Sequence, residues 1–247
     1  MLSVPQCLAP SVSRLASLAS ARSGARVEVR VLDDAALRSG MASGAVPLAL
    51  LCRVPSRHER FAMQTHLIGY GGMAVIVNGR NPVAGLDRQQ LAAIYAQRIA
   101  SWRDAGGRTD KPIVRIVKAA RSLPPGPVAD LLAAPGVSAE GAQLVDADLP
   151  AILFVAVDPY AIGYVGIAAA AQLIAEGARV KTVAIGGRVP APEQVRSGAY
   201  PLAWPVYLVA SRRLSQSQQR LQAFLAGPEG RRALAEAGLV PAQDGKP

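Results

Sequence analysis

The sequence predicts an α/β fold of two lobes, and three observations carry that prediction. The first third reads helix, strand, helix, strand, an order that builds parallel sheet through helical crossovers. Val46 to Cys52 is an unbroken apolar run without alternation, as expected of a strand buried on both faces. The chain has 247 residues, 51% of them hydrophobic, with 23 Gly and 19 Pro. That length is generous for a single core and comfortable for two.

The elements follow in order. Leu8, Val12, Leu15 and Leu18 recur at helical spacing, so a helix starts near Pro10 and stops at Ser23-Gly24. Arg26 to Leu32 alternates polar and apolar as a strand does. Asp33 then caps a short helix reaching Met41, and Val46–Cys52 is the next strand. Met73 to Asn78 is a strand closed by the turn Gly79-Arg-Asn-Pro82. Leu86-Asp87-Arg-Gln-Gln90 places a staple residue, an N-cap and a capping-box glutamine before a helix that buries Leu91, Ile94 and Tyr95. Ile113–Lys118 is a strand and Val128–Ala134 a short helix. Ala151–Val157 reads as a passage from helix to strand, and Ala161–Gly166 as a glycine-interrupted strand. Val180–Ile185 and Tyr207–Ala210 are strands. Ser215 caps a helix burying Leu221, Phe224 and Leu225, and a last helix runs from Glu229 to Ala237.

Composition excludes several classes. Only 18% of residues are charged, which is not the composition of a disordered chain. The most apolar stretch, Leu149–Ala171, is broken by Asp158-Pro159 and two glycines, and reads as buried strands, not as the ~20-residue span a bilayer needs. Formal charge is +10, which favours polyanions such as anionic lipid. The basic residues are scattered singly, however, and aromatics make up only 4%, so nucleic acid is not an expected partner. Two histidines and two cysteines give no zinc spacing, and no nucleophile–base set is visible. No metal, no cofactor and no enzymatic activity are therefore expected. Met1–Ala21 lacks the basic start and the uninterrupted apolar stretch of a secretory signal.

Four ordered motifs carry a family resemblance. Ile68-Gly-Tyr-Gly-Gly-Met-Ala-Val-Ile-Val-Asn78 resembles the lobe-crossing strand of phosphate-type solute-binding proteins of ABC transporters. Asn81-Pro82, Leu86, Gln90-Leu91, Ile94-Tyr95, Ile99, Trp102 and Gly106-Gly107 follow in that family's order. Ala161-Ile-Gly-Tyr-Val-Gly166 is similar to its AIGYVG strand, and Tyr200-Pro-Leu-Ala-Trp-Pro-Val-Tyr207 to its return crossing. The resemblance implies a type II periplasmic-binding-protein fold, with mixed or parallel sheets flanked by helices and two crossover strands between the lobes. Residues 1–72 and 200–247 would form lobe one and residues 73–199 lobe two, with ligand held in the cleft and Gly71 beside it. It also implies a periplasmic or cell-envelope location, and an ABC permease or another envelope protein as partner.

The loops that would hold an anion depart from the family pattern. The first falls on Val4-Pro-Gln-Cys7, where Pro5 has no N–H to donate and the strand before the loop is almost absent. The second is Leu32-Asp33-Asp34, whose carboxylates repel an anion. The third places the family's Ser-Arg on Cys52-Arg53, and the fourth puts Leu123-Pro124-Pro125 where a hydroxyl-bearing helix start belongs, with Arg121-Ser122 nearby. Charge-assisted bonds contribute roughly 1.5–3 kcal/mol each, so this pattern implies lost or altered phosphate binding. The cleft candidates are Cys7, Asp33, Arg53, Gly71, Arg121, Ser122 and Trp204. Asp33 serves a cation or amine, or simply caps its helix. Arg53 is an anion contact or an ion-pair partner. Trp204, where the family has arginine, stacks on a planar ligand or plugs the cleft. Cys7 and Cys52 form a disulfide, a reactive thiol pair, or two small fillers of a vacated cavity. The implied function is a phosphate-binding-protein-like solute-binding domain. The alternative is a non-transport interaction or scaffold protein of the envelope that uses its basic surface.

Overall fold

The computed structural model describes residues 1–5, 8–24, 26–118 and 140–243. Strand β1 (Leu2–Pro5) opens the chain and is buried along its whole length. This corrects the expectation that too little chain precedes the first loop. Four residues suffice because β1 lies between two parallel neighbours, β2 (Val29–Leu32) and β3 (Leu48–Leu51). A central strand satisfies its backbone on both sides and buries both faces. Helix α1 (Ala9–Ser23) carries proline in its first turn and ends at Gly24, whose φ of 66° suits a residue without Cβ. Asp33 caps α2 (Asp34–Ser43) through Ala36 N–H. Helix α3 (Arg57–Ala62) was not anticipated; a reciprocal capping box between Ser56 and Glu59 starts it.

Strand β4 (Gln64–Asn78) runs on for 15 residues. After β5 (Gly85–Leu86), Asp87 and Gln90 form the capping box read from the sequence and start α4 (Arg88–Tyr95). Next come β6 (Val114–Lys118), β7 (Gln143–Val145) and α5 (Asp148–Val157). The expected helix at 128–134 lies outside the described residues. Helix α5 is continuous where a helix-to-strand passage was expected. It is followed by β8 (Ala161–Gly166) and α6 (Ile167–Ala175), so the apolar stretch 149–171 is helix, strand and helix, not a set of strands. Val180–Ile185 is likewise two strands, β9 (Val180–Thr182) and β10 (Ala184–Ile185), because the chain changes partner from β4 to β5 at Val183. The chain continues through α7 (Pro192–Arg196), β11 (Ala203–Ala210), α8 (Gln216–Ala226), α9 (Pro228–Glu236) and β12 (Val240–Pro241).

Two compact units result, one of residues 1–71 with 204–247 and one of residues 72–203. Strands β4 and β11 carry the chain from one to the other. In the first unit, parallel β2-β1-β3 is extended by antiparallel β11 (Tyr207 opposite Leu51), and β12 pairs with the near half of β4. Leu37, Met41, Ala49, Leu51 and Val209 form part of its core. In the second unit the far half of β4 runs antiparallel to β8, and β8, β6 and β7 are parallel. Ala74, Ile76, Ile116, Val155 and Val165 pack within it. The Trp102 motif is structural here: the indole is buried and its Nε1 donates to Tyr160 O at 2.9 Å. A Cβ on Gly107 would meet Trp102 O at 2.7 Å, so the second glycine is sterically required.

Candidate functional site

Open α/β sheets bind ligands off the carboxyl ends of their parallel strands, so the candidate site is built from those ends in each unit. In the first unit they are the ends of β2, β1 and β3. Directly after β2, Asp33 Oδ1 accepts from Ala36 N–H at 2.7 Å, which commits that carboxylate to its helix. Asp34 begins α2 with its side chain turned to Arg53, accepting from Nε at 3.0 Å, and to Arg38, at 2.5 Å. Directly after β3 comes Cys52, which is buried and is not a free thiol. Its expected partner Cys7 lies outside the described residues, as do Arg121 and Ser122.

Arg53 is the centre of this end. Its Nη1 and Nη2 donate to Glu59 Oε2 and Oε1 at 2.8 and 2.7 Å, and its Nε to Asp34. A bidentate fork of this kind is the strongest arrangement a guanidinium makes with a carboxylate. Glu59 also accepts Ser56 N–H at 2.6 Å. The Arg53 guanidinium, then the Ser56 backbone, hold the Glu59 carboxyl down at about 2 against the resistance of burial. The same bond to Glu59 raises Arg53 above its ordinary value. All three nitrogens of Arg53, expected as an anion contact or an ion-pair partner, thus face carboxylates of its own chain.

Gly71 and Trp204 meet in the first unit. A Cβ on Gly71 would lie 2.5 Å from Trp204 Nε1, so the indole covers the glycine backbone closely. Trp204 is buried, and its Nε1 has no hydrogen-bond partner among the described residues. The side chain fills space against Gly71.

The second unit brings together residues that sequence reasoning missed. Lys118 ends β6, Gly166 ends β8, and Asp148 lies three residues past β7, at the start of α5. Lys118 is buried, and its Nζ pairs with Asp148 Oδ1, while Asp148 Oδ2 accepts Gly166 N–H at 3.0 Å. Lys118 backbone N–H donates to the Tyr164 hydroxyl at 3.0 Å, and its Nζ stands 5.8 Å from the centre of the Tyr164 ring. Burial pushes the Tyr164 hydroxyl up to about 12. Tyr95 meets Tyr164 edge-on at 5.5 Å, and Arg115 Nη1 donates to the Tyr95 carbonyl at 2.9 Å. The available signal was a lysine closing an apolar strand, Val-Arg-Ile-Val-Lys118, since a cation at a strand's carboxyl end needs a counter-charge. Both ends therefore hold a basic group neutralised from within. Among the described residues, no group of three or more His, Cys, Asp or Glu side chains could hold a metal ion.

A family model described as a PBP superfamily domain matches residues 42–226. An ABC-type phosphate transport receptor from Vibrio cholerae is similar in structure, with a TM-score of 0.76 and 21% identity over 97% of this chain and 99% of that one. PstS from Borrelia burgdorferi has a TM-score of 0.72 and 17% identity over 98% of each chain. At these identities the likeness is one of fold.

Proposed function

Because the chain belongs to the PBP superfamily and has the two-lobed type II periplasmic-binding-protein fold, we propose that it is a solute-binding receptor of the cell envelope that has given up tight phosphate binding. The superfamily is one of receptors and not an enzyme class. One observation carries the proposal: Arg53 already has both oxygens of Glu59 and one of Asp34 on its three nitrogens. An incoming phosphate would have to replace a bidentate carboxylate whose affinity for its proton has fallen to about 2. That exchange trades one set of charge-assisted bonds for another of like strength. It also strands Glu59, which is only 9% exposed, without its cation, a penalty of order 1–3 kcal/mol or more.

The test is isothermal titration of the full chain with inorganic phosphate. Heat consistent with millimolar or weaker binding is expected; a sub-micromolar Kd sinks the proposal. A parallel thermal-shift screen of anions, amino acids and sugars identifies the solute by its mass-action stabilisation. A periplasmic location and delivery to an ABC permease belong to the same reading, and it would be supported by finding genes for a permease and an ATPase beside this one. The same reading includes a Cys7–Cys52 disulfide holding the first-unit loops, checked by intact mass after alkylation without reductant: two added alkyl groups refute it. A second reading, an interaction protein of the envelope, is favoured by the apolar face that α5 leaves in solvent.

A further inference from the structure

The second unit has another end, opposite Lys118 and Gly166. Val77 pairs with Ile162 and Met73 with Gly166, so Asn78 at the close of β4 lies beside the start of β8. A groove of about 650 Å³ opens here between the turn after β4, the end of α5 and the start of β9. Its walls are pinned. Asn78 Nδ2 donates to Val155 O and Ala156 O at 2.9 and 3.0 Å, Asn81 Nδ2 to Pro159 O at 3.2 Å, and Gly79 N–H to Arg179 O at 2.8 Å. The last bond sets Arg80 and Arg179 on adjoining backbone at the groove. Both are exposed, and neither guanidinium has a hydrogen bond or ion pair to a described residue. Among the C-terminal carbonyls of α5, which attract a cation, those of Val155 and Ala156 are taken by Asn78, and the two arginines remain available to an outside anion.

The groove continues onto α5 through Val157, which is 82% exposed. Leu149, Leu153 and Val157 fall in one four-residue row with Phe154 beside them, and these are 52%, 56% and 44% exposed for Leu149, Leu153 and Phe154. Ala151, Ile152 and Val155 take the buried side. A row of large apolar side chains in water marks an interaction surface. Unpaired arginines at one end of such a row match the layering of a lipid leaflet, with phosphate at the guanidinium level and acyl chain beneath it.

We infer that this outer face of the second unit docks on an anionic phospholipid surface. Arg80 and Arg179 take headgroup phosphates, and Leu153, Phe154 and Val157 enter the acyl boundary. The occupant is chosen by charge complementarity: the chain carries +10, and each basic side chain near an anionic leaflet contributes about fivefold in binding. The inference does not rest on the solute reading, because it uses neither strand end that would face a solute.

The test is flotation of the full chain with vesicles of phosphatidylcholine alone and of phosphatidylcholine mixed with phosphatidylglycerol. Binding to the mixed vesicles at low salt, lost at high salt, is expected. The double variant Arg80→Ala/Arg179→Ala should bind about thirtyfold more weakly, and Leu153→Ser/Val157→Ser should bind weakly as well, both with unchanged melting temperatures. Four results overturn the inference. The wild type ignores mixed vesicles. The variants bind as the wild type does. Glycerol phosphate alone titrates the groove as tightly as vesicles do, which makes it a solute site. Or sedimentation shows a dimer that Leu153→Ser/Val157→Ser dissolves, which makes the face a contact between copies.

Discussion

At the carboxyl ends of β2 and β3 a guanidinium meets two carboxylates, whereas at those of β6, β7 and β8 an ammonium meets one. Arg53 spreads its charge over Glu59 and Asp34 and keeps 27% of its side chain in water. Lys118 is 8% exposed and has Asp148 as its counter-charge, with the Tyr164 ring nearby. The planar fork of arginine can share partners while remaining hydrated, but the point charge of lysine must be matched within the protein once buried. The first-unit cluster therefore masks a cation that stays near solvent. The second-unit pair acts as an internal tie among three strand ends, because Asp148 also holds Gly166 N–H. Masking and tying make different predictions when either is cut.

The largest effect is expected at the tie. Asp148→Ala leaves the Lys118 ammonium buried without a counter-charge and Gly166 N–H without its acceptor. A loss of about 3–5 kcal/mol in urea unfolding follows. A loss below about 1 kcal/mol would show that water reaches Nζ and that the two ends are alike. The next effect belongs to Glu59 and is read by acid. Its carboxyl sits at about 2 in the folded chain, against an ordinary 4.5. The stabilisation is thus complete above the ordinary value and is lost as pH falls through about 2. Each pKa unit is worth about 1.4 kcal/mol, so roughly 3 kcal/mol drains away between those limits. In Glu59→Gln that part of the acid dependence should be absent from unfolding midpoints measured across the same window.

What could be read beforehand follows the range of the interactions. Asp33, Asp87 with Gln90, and Ser215 were legible as caps because each acts within three residues of itself. The long run of β4 was legible from its motif. Helix α5 was not, because both of its sides are apolar: Ala151, Ile152 and Val155 face inward while Leu149, Leu153 and Phe154 face out, which erases the 3.6-residue period. The buried start at β1 was missed because its neighbours, not its four residues, make it a strand. Arg53 is legible as an anion contact or an ion-pair partner after β3, but its carboxylate partners Glu59 and Asp34 are not read with it. Ser56-x-x-Glu59 is a capping-box pattern that turns Glu59 back toward the preceding loop, so that signal was present. Lys118 with Asp148 joins residues 30 apart, and only the parallel order of β7, β6 and β8 brings them together.

Unmasking Arg53 should give an effect smaller in energy and closer to function. In Glu59→Gln/Asp34→Asn both carboxylates become neutral amides of nearly the same shape. The side-chain amide oxygen introduced by Glu59→Gln can still accept Ser56 N–H and keep the capping box of α3, so the fold should persist. The Arg53 guanidinium then lacks a charged partner while remaining 27% exposed. Phosphate affinity by titration should rise about tenfold, the equivalent of 1.4 kcal/mol and near the low end for one charge-assisted bond. Asp148→Asn should give no such rise, since Lys118 Nζ stays buried whatever its partner's charge. If the double variant binds phosphate no better than the parent, the internal carboxylates are not what limits the site. If Asp148→Asn gains as much, the second-unit lysine is as reachable as the first-unit arginine, and the distinction between a masked end and a tied one fails.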